Sequence, residues 1–482
     1  MNGEKRESLG SSLGFLLVSA GCAVGLGNVW RFPFIVGENG GALFVLIYIL
    51  FLVIFGLPMM VAEFSLGRAS QTSVVHSYST LVPKAKRWDA LGRVQVGANW
   101  LLMMYYTTIA GWLLAYPVAL LSGWFKFSDL IATEDKIAAG EKIAEYSVQF
   151  FGNFVSNPAA QIFWMAVVCL IGFSICALGL KKGVEDITKK MMTALFIILI
   201  GLCAYVMTLD GASEGIKFYL MPSTKILETK SLWSVIYDAL GQSFFTLSLG
   251  IGSMAIFGSY TSKKYTLPGE SAKIIVIDTI VALLAGMVIF PACFAYNTTP
   301  DAGPSLIFMT LPKVFAKMPG GIFIGSAFFV FLGLAALTTV ITVFETILSG
   351  SMERTGCTRH AAIKRNAPLL LLLALPCALG FNVLRFITPF GPGSGILDFE
   401  DFLVSNIALP LGSLCILIFC VSKRYWGWNN FIKEANTGSG LKLSSGKIMR
   451  FYMTFVLPTI MVLVFVMAMI PTAKKLIAMI AG

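Results

Sequence analysis

Apolar stretches of about twenty residues or more recur along the whole of this 482-residue chain. A helix of about 20 apolar residues crosses the ~30 Å hydrocarbon core of a bilayer, so each stretch predicts one transmembrane helix. Charged residues make up only 13% of the sequence, against about 25% in soluble domains. The pattern predicts an all-α membrane protein with eleven spans, at residues 12–37, 42–68, 91–121, 159–179, 188–209, 235–260, 273–296, 321–352, 368–384, 402–421 and 448–471.

The net charge of +11 is distributed unevenly between the loops. If the amino terminus is cytoplasmic, 24 of the 36 Lys and Arg residues lie at the cytoplasmic side. Cytoplasmic loops of membrane proteins carry such an excess of Lys and Arg. The basic charge therefore predicts orientation and gives no indication of nucleic-acid binding, and an odd number of spans places the carboxyl terminus outside.

Two of the predicted spans carry small and polar residues at their midpoints. Span 1 contains "GCAVGLGN" at residues 21–28, and span 6 contains "FFTLSLGIG" at residues 244–252. Interrupted spans in corresponding positions are typical of inverted repeats. We therefore expect one polytopic domain, residues 1–482, with repeats at 1–209 and 235–423 and an extra helix at 446–477. The alternative is that the glycines only allow close helix packing.

A helix that breaks inside the membrane has chemical consequences. Each backbone N–H or C=O that loses its partner in lipid costs several kcal/mol, so such groups must face a ligand or water. Freed carbonyl oxygens suit Na⁺, whereas the N-terminus of a half-helix suits a carboxylate. Two facing breaks predict a site for a cation and an anionic solute.

These motifs carry a resemblance to a known family. The motifs are "GCAVGLGNVWRFPF" in span 1, "GQSFFTLSLGIG" in span 6, "DTIVALLAGMVIFP" in span 7, "AALTTVIT" in span 8 and "LDFEDFL" at span 10. In these motifs the chain resembles the neurotransmitter:sodium symporters. It is most similar to their bacterial eleven-span amino-acid transporters with the leucine-transporter-like fold. The resemblance covers nearly the whole chain. It implies import of an amino acid by sodium-coupled alternating access across a bacterial inner membrane.

The resemblance implies two sodium sites built from oxygen ligands of the kind that hard cations take. The first would use the carbonyls of Ala23 and Thr246 with the side chains of Asn28, Thr246 and Asp278, where the family commonly has Asn at the last position. The second would use the carbonyls of Gly21, Val24 and Ala335 and the hydroxyls of Thr338 and Thr339. Alone, "ALTT" also fits ordinary polar packing between membrane helices.

The substrate implied by the resemblance lies between the two breaks. Its carboxylate would meet the amides of Leu26 and Gly27, and its ammonium would meet nearby carbonyls. Relatives that carry monoamines have Asp where this chain has Cys22, and a buried unpaired charge is costly, so the resemblance implies a neutral, hydrophobic amino acid. The residues implied for substrate binding are Cys22, Ala23, Val24, Leu26, Gly27, Leu102, Tyr106, Phe245, Thr246, Ser248, Ile251, Thr339 and Val343.

Asp278 also bears on anion dependence. Chloride-dependent relatives have Ser where this chain has Ala282, and a fixed carboxylate beside the sodium ions supplies the balancing charge itself. We therefore predict chloride independence. The alternative is that Asp278 is a proton-titrating or water-facing acid without a role in ion binding, although carboxylates inside membranes are usually functional.

The resemblance also implies two gates. Arg31 would pair with Asp401 across the outer vestibule, above Tyr106 and Phe245. Arg6 would pair with Glu353 at the inner end, supported by Ser259 and Tyr260. Thr193 stands where relatives have the proline that lets span 5 unwind, which leaves that route of sodium release in question.

Two other classes of function remain as alternatives. A receptor on the same scaffold would bind amino acid and sodium without transport. A membrane-embedded enzyme would need a cluster of catalytic side chains, yet the only two histidines, His76 and His360, lie far apart in predicted inner loops. The expected partners are therefore a small amino acid and membrane lipid, with no nucleic acid and no obligate protein partner.

Overall fold

The structure is a computed structural model that describes residues 7–125, 136–296, 298 and 306–481. Regular structure in the described residues is helical, which confirms the predicted all-α class. Nine of the described helices are long and apolar enough to cross a membrane, namely Ala42–Ser70, Pro83–Leu121, Pro158–Ala177, Leu180–Val206, Leu267–Ala295, Gly321–Thr355, Arg359–Leu379, Ile396–Val421 and Lys447–Met467. They are spans 2, 3, 4, 5, 7, 8, 9, 10 and 11 below.

Spans 1 and 6 are both broken. Span 1 consists of Ser12–Ala23 and Gly27–Glu38, whose axes differ by 55°. Span 6 consists of Leu232–Thr246 and Ser253–Ser259, separated by six non-helical residues. With these two, the helices are consistent with eleven spans, and the predicted interruptions are confirmed.

Several spans contain a single widened, π-helical turn immediately before a proline. Such turns at Gly27–Arg31, Leu52–Gly56 and Leu403–Ala408 are followed by Pro33, Pro58 and Pro410. Proline has no N–H, and its ring clashes with the carbonyl four residues earlier. One extra residue in the turn relieves that clash at these three prolines, whereas the widened turn at Leu180–Glu185 has no proline beside it.

The broken spans lie at the centre of the bundle. The inner half of span 1 packs against spans 5, 7 and 8, and the inner half of span 6 packs against span 2. Span 8 is the most buried of the long helices, and span 11 is the least. The predicted ligand sites therefore lie inside the bundle, away from lipid.

Span 9 begins at Arg359, well before its predicted start at residue 368. The Thr358 hydroxyl caps this helix by accepting from the Ala361 amide at 3.4 Å. The charged first turn is stabilised because Arg359 pairs with Glu345 of span 8. Hydropathy could not locate this start, since charged residues precede the apolar stretch.

Candidate functional site

The break in span 1 leaves backbone N–H and C=O groups without helical partners. Side chains, some of them from neighbouring spans, form hydrogen bonds with these groups. The Gly25 amide donates to Asn28 Oδ1 at 3.2 Å, and the Leu26 amide donates to the Tyr106 hydroxyl at 3.3 Å. The carbonyls of Gly21 and Val24 face Thr339 of span 8. The break therefore presents amides on one side and carbonyl oxygens on the other.

The break in span 6 is built from left-handed backbone. Gly250 and Gly252 have φ of 100° and 82°, which glycine adopts readily, and Ser248 has φ of 50°, which is uncommon for other residues. The Ser248 hydroxyl donates to the Cys22 carbonyl at 3.5 Å. The two breaks are thus in direct contact.

Three buried polar side chains that sequence reasoning missed hold the span 6 break in place. Glu63 of span 2 accepts from the Gly250 amide at 2.7 Å, and Gln95 of span 3 donates to the Gly250 carbonyl at 2.8 Å. Asn99 donates to the Ile251 carbonyl at 2.7 Å. A carboxyl and two amides inside apolar spans are the signal that would have found them.

Three of the residues predicted for the first cation site lie together and are fully buried. Asn28 Nδ2 donates to Asp278 Oδ1 at 2.8 Å, and Thr246 Oγ1 donates to Asp278 Oδ2 at 3.2 Å. The nearby buried atoms Tyr48 Oη and Gln242 Oε1 have no hydrogen-bond partner among the described residues. The group offers oxygen donors with one carboxylate, a set that fits a singly charged hard cation.

The residues predicted for the second cation site also converge. Thr339 Oγ1 lies 3.3, 3.5 and 3.4 Å from the carbonyl oxygens of Gly21, Val24 and Ala335, and Thr338 Oγ1 donates to the Ala335 carbonyl at 2.8 Å. A Cβ at Gly21 would lie 3.2 Å from Thr338 Cβ, so glycine allows spans 1 and 8 to approach. The five oxygens are neutral and buried, which again fits an alkali cation.

The chemistry of both groups argues against a transition metal. No cluster of three or more His, Cys, Asp or Glu side chains able to hold a metal occurs within the described ranges. Transition metals select imidazole and thiolate ligands, whereas carbonyls, hydroxyls and carboxylates suit hard ions.

A cavity of about 290 Å³ lies between the breaks and extends toward span 10. Most of the residues predicted for the substrate line it, namely Cys22, Ala23, Leu26, Gly27, Leu102, Tyr106, Phe245, Thr246, Ser248, Ile251 and Thr339. Val24 and Val343 are buried but do not line it, since Val343 lies one helical turn beyond Thr339. Residues not singled out from the sequence complete the wall: Gly25, Trp30, Phe34, Tyr105, Ile109, Leu397, Asp398, Val404 and Leu409.

At the predicted outer end, the two gate residues line the cavity but do not pair with each other. Arg31 stacks on the Phe245 ring, with its guanidinium carbon 4.3 Å from the centroid. Asp401 accepts from the hydroxyls of Tyr105 at 2.9 Å and Ser405 at 2.8 Å. The Arg31–Asp401 ion pair is not formed in this conformation and stays a prediction for a closed state.

At the predicted inner end, a network joins four chain segments. Glu345 of span 8 accepts from the Tyr260 hydroxyl at 3.0 Å and pairs with Arg359 at 2.5 Å, and Arg359 also pairs with Glu7 at 2.7 Å. Sequence reasoning identified Tyr260 but missed the other three residues. The sequence signal that could have indicated the network was the charge of Glu345 and Arg359, which lie near the ends of two different spans.

The predicted inner pair of Arg6 and Glu353 is only partly visible. Arg6 lies outside the described residues. Glu353 accepts from the Ser73 amide with both carboxylate oxygens, each at 2.7 Å. Ser259 donates to the Ile256 carbonyl at 2.6 Å, within its own helix.

This arrangement has counterparts among known proteins. The model of the Sodium:neurotransmitter symporter family matches residues 6–478. The chain belongs to this family. The match confirms the resemblance inferred from the motifs and shows that the fold is that of a transporter.

Individual symporter relatives and structures agree with this assignment. The crystal structure of MhsT in complex with L-phenylalanine has a TM-score of 0.82 and 36% identity, covering 96% of this chain and all of that one. The sodium-dependent transporter YhdH of Bacillus subtilis (strain 168) is 34% identical over 472 residues, covering 96% of this chain and 98% of the relative. The sodium-dependent serotonin transporter of Drosophila melanogaster is 29% identical, covering 81% and 68% respectively.

Proposed function

We propose that this chain imports a neutral, hydrophobic amino acid together with sodium, by alternating access across a bacterial inner membrane. The observation that carries the proposal is the cavity between the breaks, which adjoins both groups of cation-ligating oxygens. Its volume of about 290 Å³ falls near the lower end of the ~300–1,000 Å³ typical of ligand pockets. It suits one small molecule, and MhsT was crystallised with L-phenylalanine.

The polarity of the cavity determines how the amino acid binds. The substrate carboxylate meets the amides of Leu26 and Gly27 and the Tyr106 hydroxyl, at the positive end of the outer half of span 1. Its ammonium group meets the backbone carbonyls at the breaks. Its side chain contacts Leu102 and Ile251, which are apolar and therefore favour a hydrophobic substrate.

Sodium binds at two sites and is coupled to the substrate. The first ion, at Asn28, Thr246 and Asp278, also contacts the substrate carboxylate, so each ligand raises the affinity for the other by the same factor. The second ion, at Thr338 and Thr339, ties span 1 to span 8. Two ions with a tenfold gradient (~1.4 kcal/mol each) and 100 mV (~2.3 kcal/mol each) supply roughly 7 kcal/mol.

Transport is independent of chloride, because Asp278 supplies a fixed negative charge beside the first sodium. The carboxylate is fully buried and accepts hydrogen bonds only from Asn28 and Thr246 among the described side chains, so no Lys or Arg neutralises it.

With the amino terminus taken as cytoplasmic, we infer that this conformation is an outward-facing state. The inner network of Tyr260, Glu345 and Arg359 is formed, whereas Arg31 and Asp401 are unpaired. Release of the second sodium toward the cytoplasm would free the inner half of span 1 and open the network.

Uptake into proteoliposomes tests the proposal. Purified protein should accumulate labelled leucine or phenylalanine only with an inward sodium gradient, and competition by the twenty amino acids should favour neutral apolar ones. Full accumulation with only potassium or lithium present would refute it. Counterflow separates transport from a receptor function, because a receptor binds labelled substrate without exchanging it.

A further inference from the structure

A strongly basic surface surrounds the predicted cytoplasmic end of span 7. We call it the basic platform and define it as residues 261–273 and 433–450. These two segments contain seven Lys or Arg residues and only two acidic ones, Glu270 and Glu434. Backbone hydrogen bonds join them: the Ser439 amide donates to the Lys264 carbonyl at 3.0 Å, and the Thr266 amide donates to the Ser439 carbonyl at 3.2 Å.

The platform is held rigidly by a buried arginine. Arg68, at the end of span 2, is fully buried and donates to Glu434 Oε1 at 2.7 Å and to the Tyr265 carbonyl at 2.8 Å. One guanidinium therefore fixes both segments to the same span. The contacts of Arg68 therefore define how the two segments lie relative to span 2.

Two ammonium groups of the platform lie near one aromatic ring. The Nζ atoms of Lys264 and Lys273 each lie 5.3 Å from the centroid of the Tyr265 ring. Lys273 also pairs with Glu270 at 2.8 Å, whereas Lys264 has no carboxylate within 4.0 Å in the described chain. The pair of lysines thus retains positive charge that an anion can offset.

An apolar groove runs beside Tyr265 and Lys273. It has a volume of about 360 Å³ and is lined by Tyr265, Gly269, Glu270, Ala272, Lys273 and Leu441, among others. Leu441, which lines the groove, is 57% exposed.

We propose that the basic platform binds one anionic phospholipid, with an acyl chain in the groove and its headgroup beside Lys273, where Lys264 adds positive charge on the same platform. The charge of the platform complements an anionic headgroup, and basic pockets at the cytoplasmic ends of spans hold such lipids. Phosphate in solution would use the lysines but leave the apolar groove exposed. The inference goes beyond the proposed transport activity and depends on it only for the choice of leaflet.

Native mass spectrometry of the full chain, released from nanodiscs of equal phosphatidylglycerol and phosphatidylcholine, tests the proposal. The wild type should retain phosphatidylglycerol preferentially. Each lysine near an anionic surface contributes about 1 kcal/mol, so Lys264→Gln/Lys273→Gln should reduce this retention by about tenfold or more. Ala272→Phe, which fills the groove, should reduce the retention of both lipids at this position.

A matched control removes the same charge elsewhere. Lys181 and Lys182 are exposed and lie at the start of span 5, so Lys181→Gln/Lys182→Gln should leave retention within twofold of the wild type. Equal loss in both double variants would show that retention follows net charge alone and would overturn the proposal, as would unchanged retention in Lys264→Gln/Lys273→Gln. If inorganic phosphate abolishes the retention of phosphatidylglycerol and Ala272→Phe has no effect, the platform binds phosphate and the lipid proposal is wrong. Melting temperatures verify that each variant is folded.

Discussion

Gly25 lies in the break of span 1, where a single added methyl group tests the geometry of the site. A Cβ on this residue would lie 2.9 Å from Thr339 Oγ1 and 3.0 Å from the Tyr106 hydroxyl. Ordinary contacts of a Cβ are 3.4–4 Å, so both side chains must move by several tenths of an ångström. Gly25→Ala therefore disturbs a predicted sodium ligand and a predicted substrate ligand at once.

The expected loss of affinity follows from these distances. In the proposed complex the Tyr106 hydroxyl contacts the substrate carboxylate, and the added methyl group displaces that hydroxyl. A hydrogen bond to a charged group is worth about 1.5–3 kcal/mol. Since ~1.4 kcal/mol is a factor of ten, the affinity for substrate should fall at least tenfold in Gly25→Ala.

Equilibrium binding of a labelled neutral amino acid at fixed sodium concentration measures this loss. The control is Gly241→Ala in the outer half of span 6, because nothing lies within 4 Å of a Cβ there. It should bind within twofold of the wild type, and a cooperative melting transition without ligand should show that both variants are folded. Binding by Gly25→Ala within twofold of the wild type would refute the proposed positions of Tyr106 and Thr339.

Three further predictions concern ions and the inner network. Replacing external chloride by gluconate should leave wild-type uptake unchanged, and a chloride requirement would contradict the proposed role of Asp278. Asp278→Asn loses charge-assisted hydrogen bonds worth about 1.5–3 kcal/mol and should lower sodium affinity tenfold or more. Thr339→Val should raise the sodium concentration for half-maximal binding roughly tenfold, whereas Thr346→Val, further along span 8, should not. Arg359→Gln leaves the carboxylate of Glu345 buried without its cation, so thermal unfolding should show the protein destabilised by about 3–5 kcal/mol. Adding Glu345→Gln should restore much of that stability. If the losses of stability from the two substitutions simply add, the proposed ion pair is contradicted.

The sequence predicted the fold well because the membrane restricts what an apolar chain can form. Stretches of about twenty apolar residues must be helices, and glycine-rich midpoints of two such stretches indicated where helices break. The helix starts were less predictable. Span 9 begins with Arg359, whose charge hid the start from hydropathy although Glu345 neutralises it in the structure.

The candidate site was predictable where backbone groups form it and less so where side chains from distant spans support it. The motifs of spans 1, 6 and 8 indicated Asn28, Thr246 and Thr339. No local pattern linked Glu63 or Gln95 to the break in span 6, because those contacts depend on how spans 2 and 3 pack against it. The sequence thus predicted the groups proposed to hold the ligands, but it did not predict the side chains that hold the span 6 break.

The interruption of span 1 occupies the same few residues as both proposed ion sites and the substrate site. Any change in the 55° angle between its two halves must displace the carbonyls of Gly21 and Val24 relative to the amides of Leu26 and Gly27. Ligand binding at these proposed sites and the angle between the two halves of span 1 should therefore change together. Substitutions within residues 21–27 should alter affinity and turnover together, and separating the two requires changes in the supporting spans.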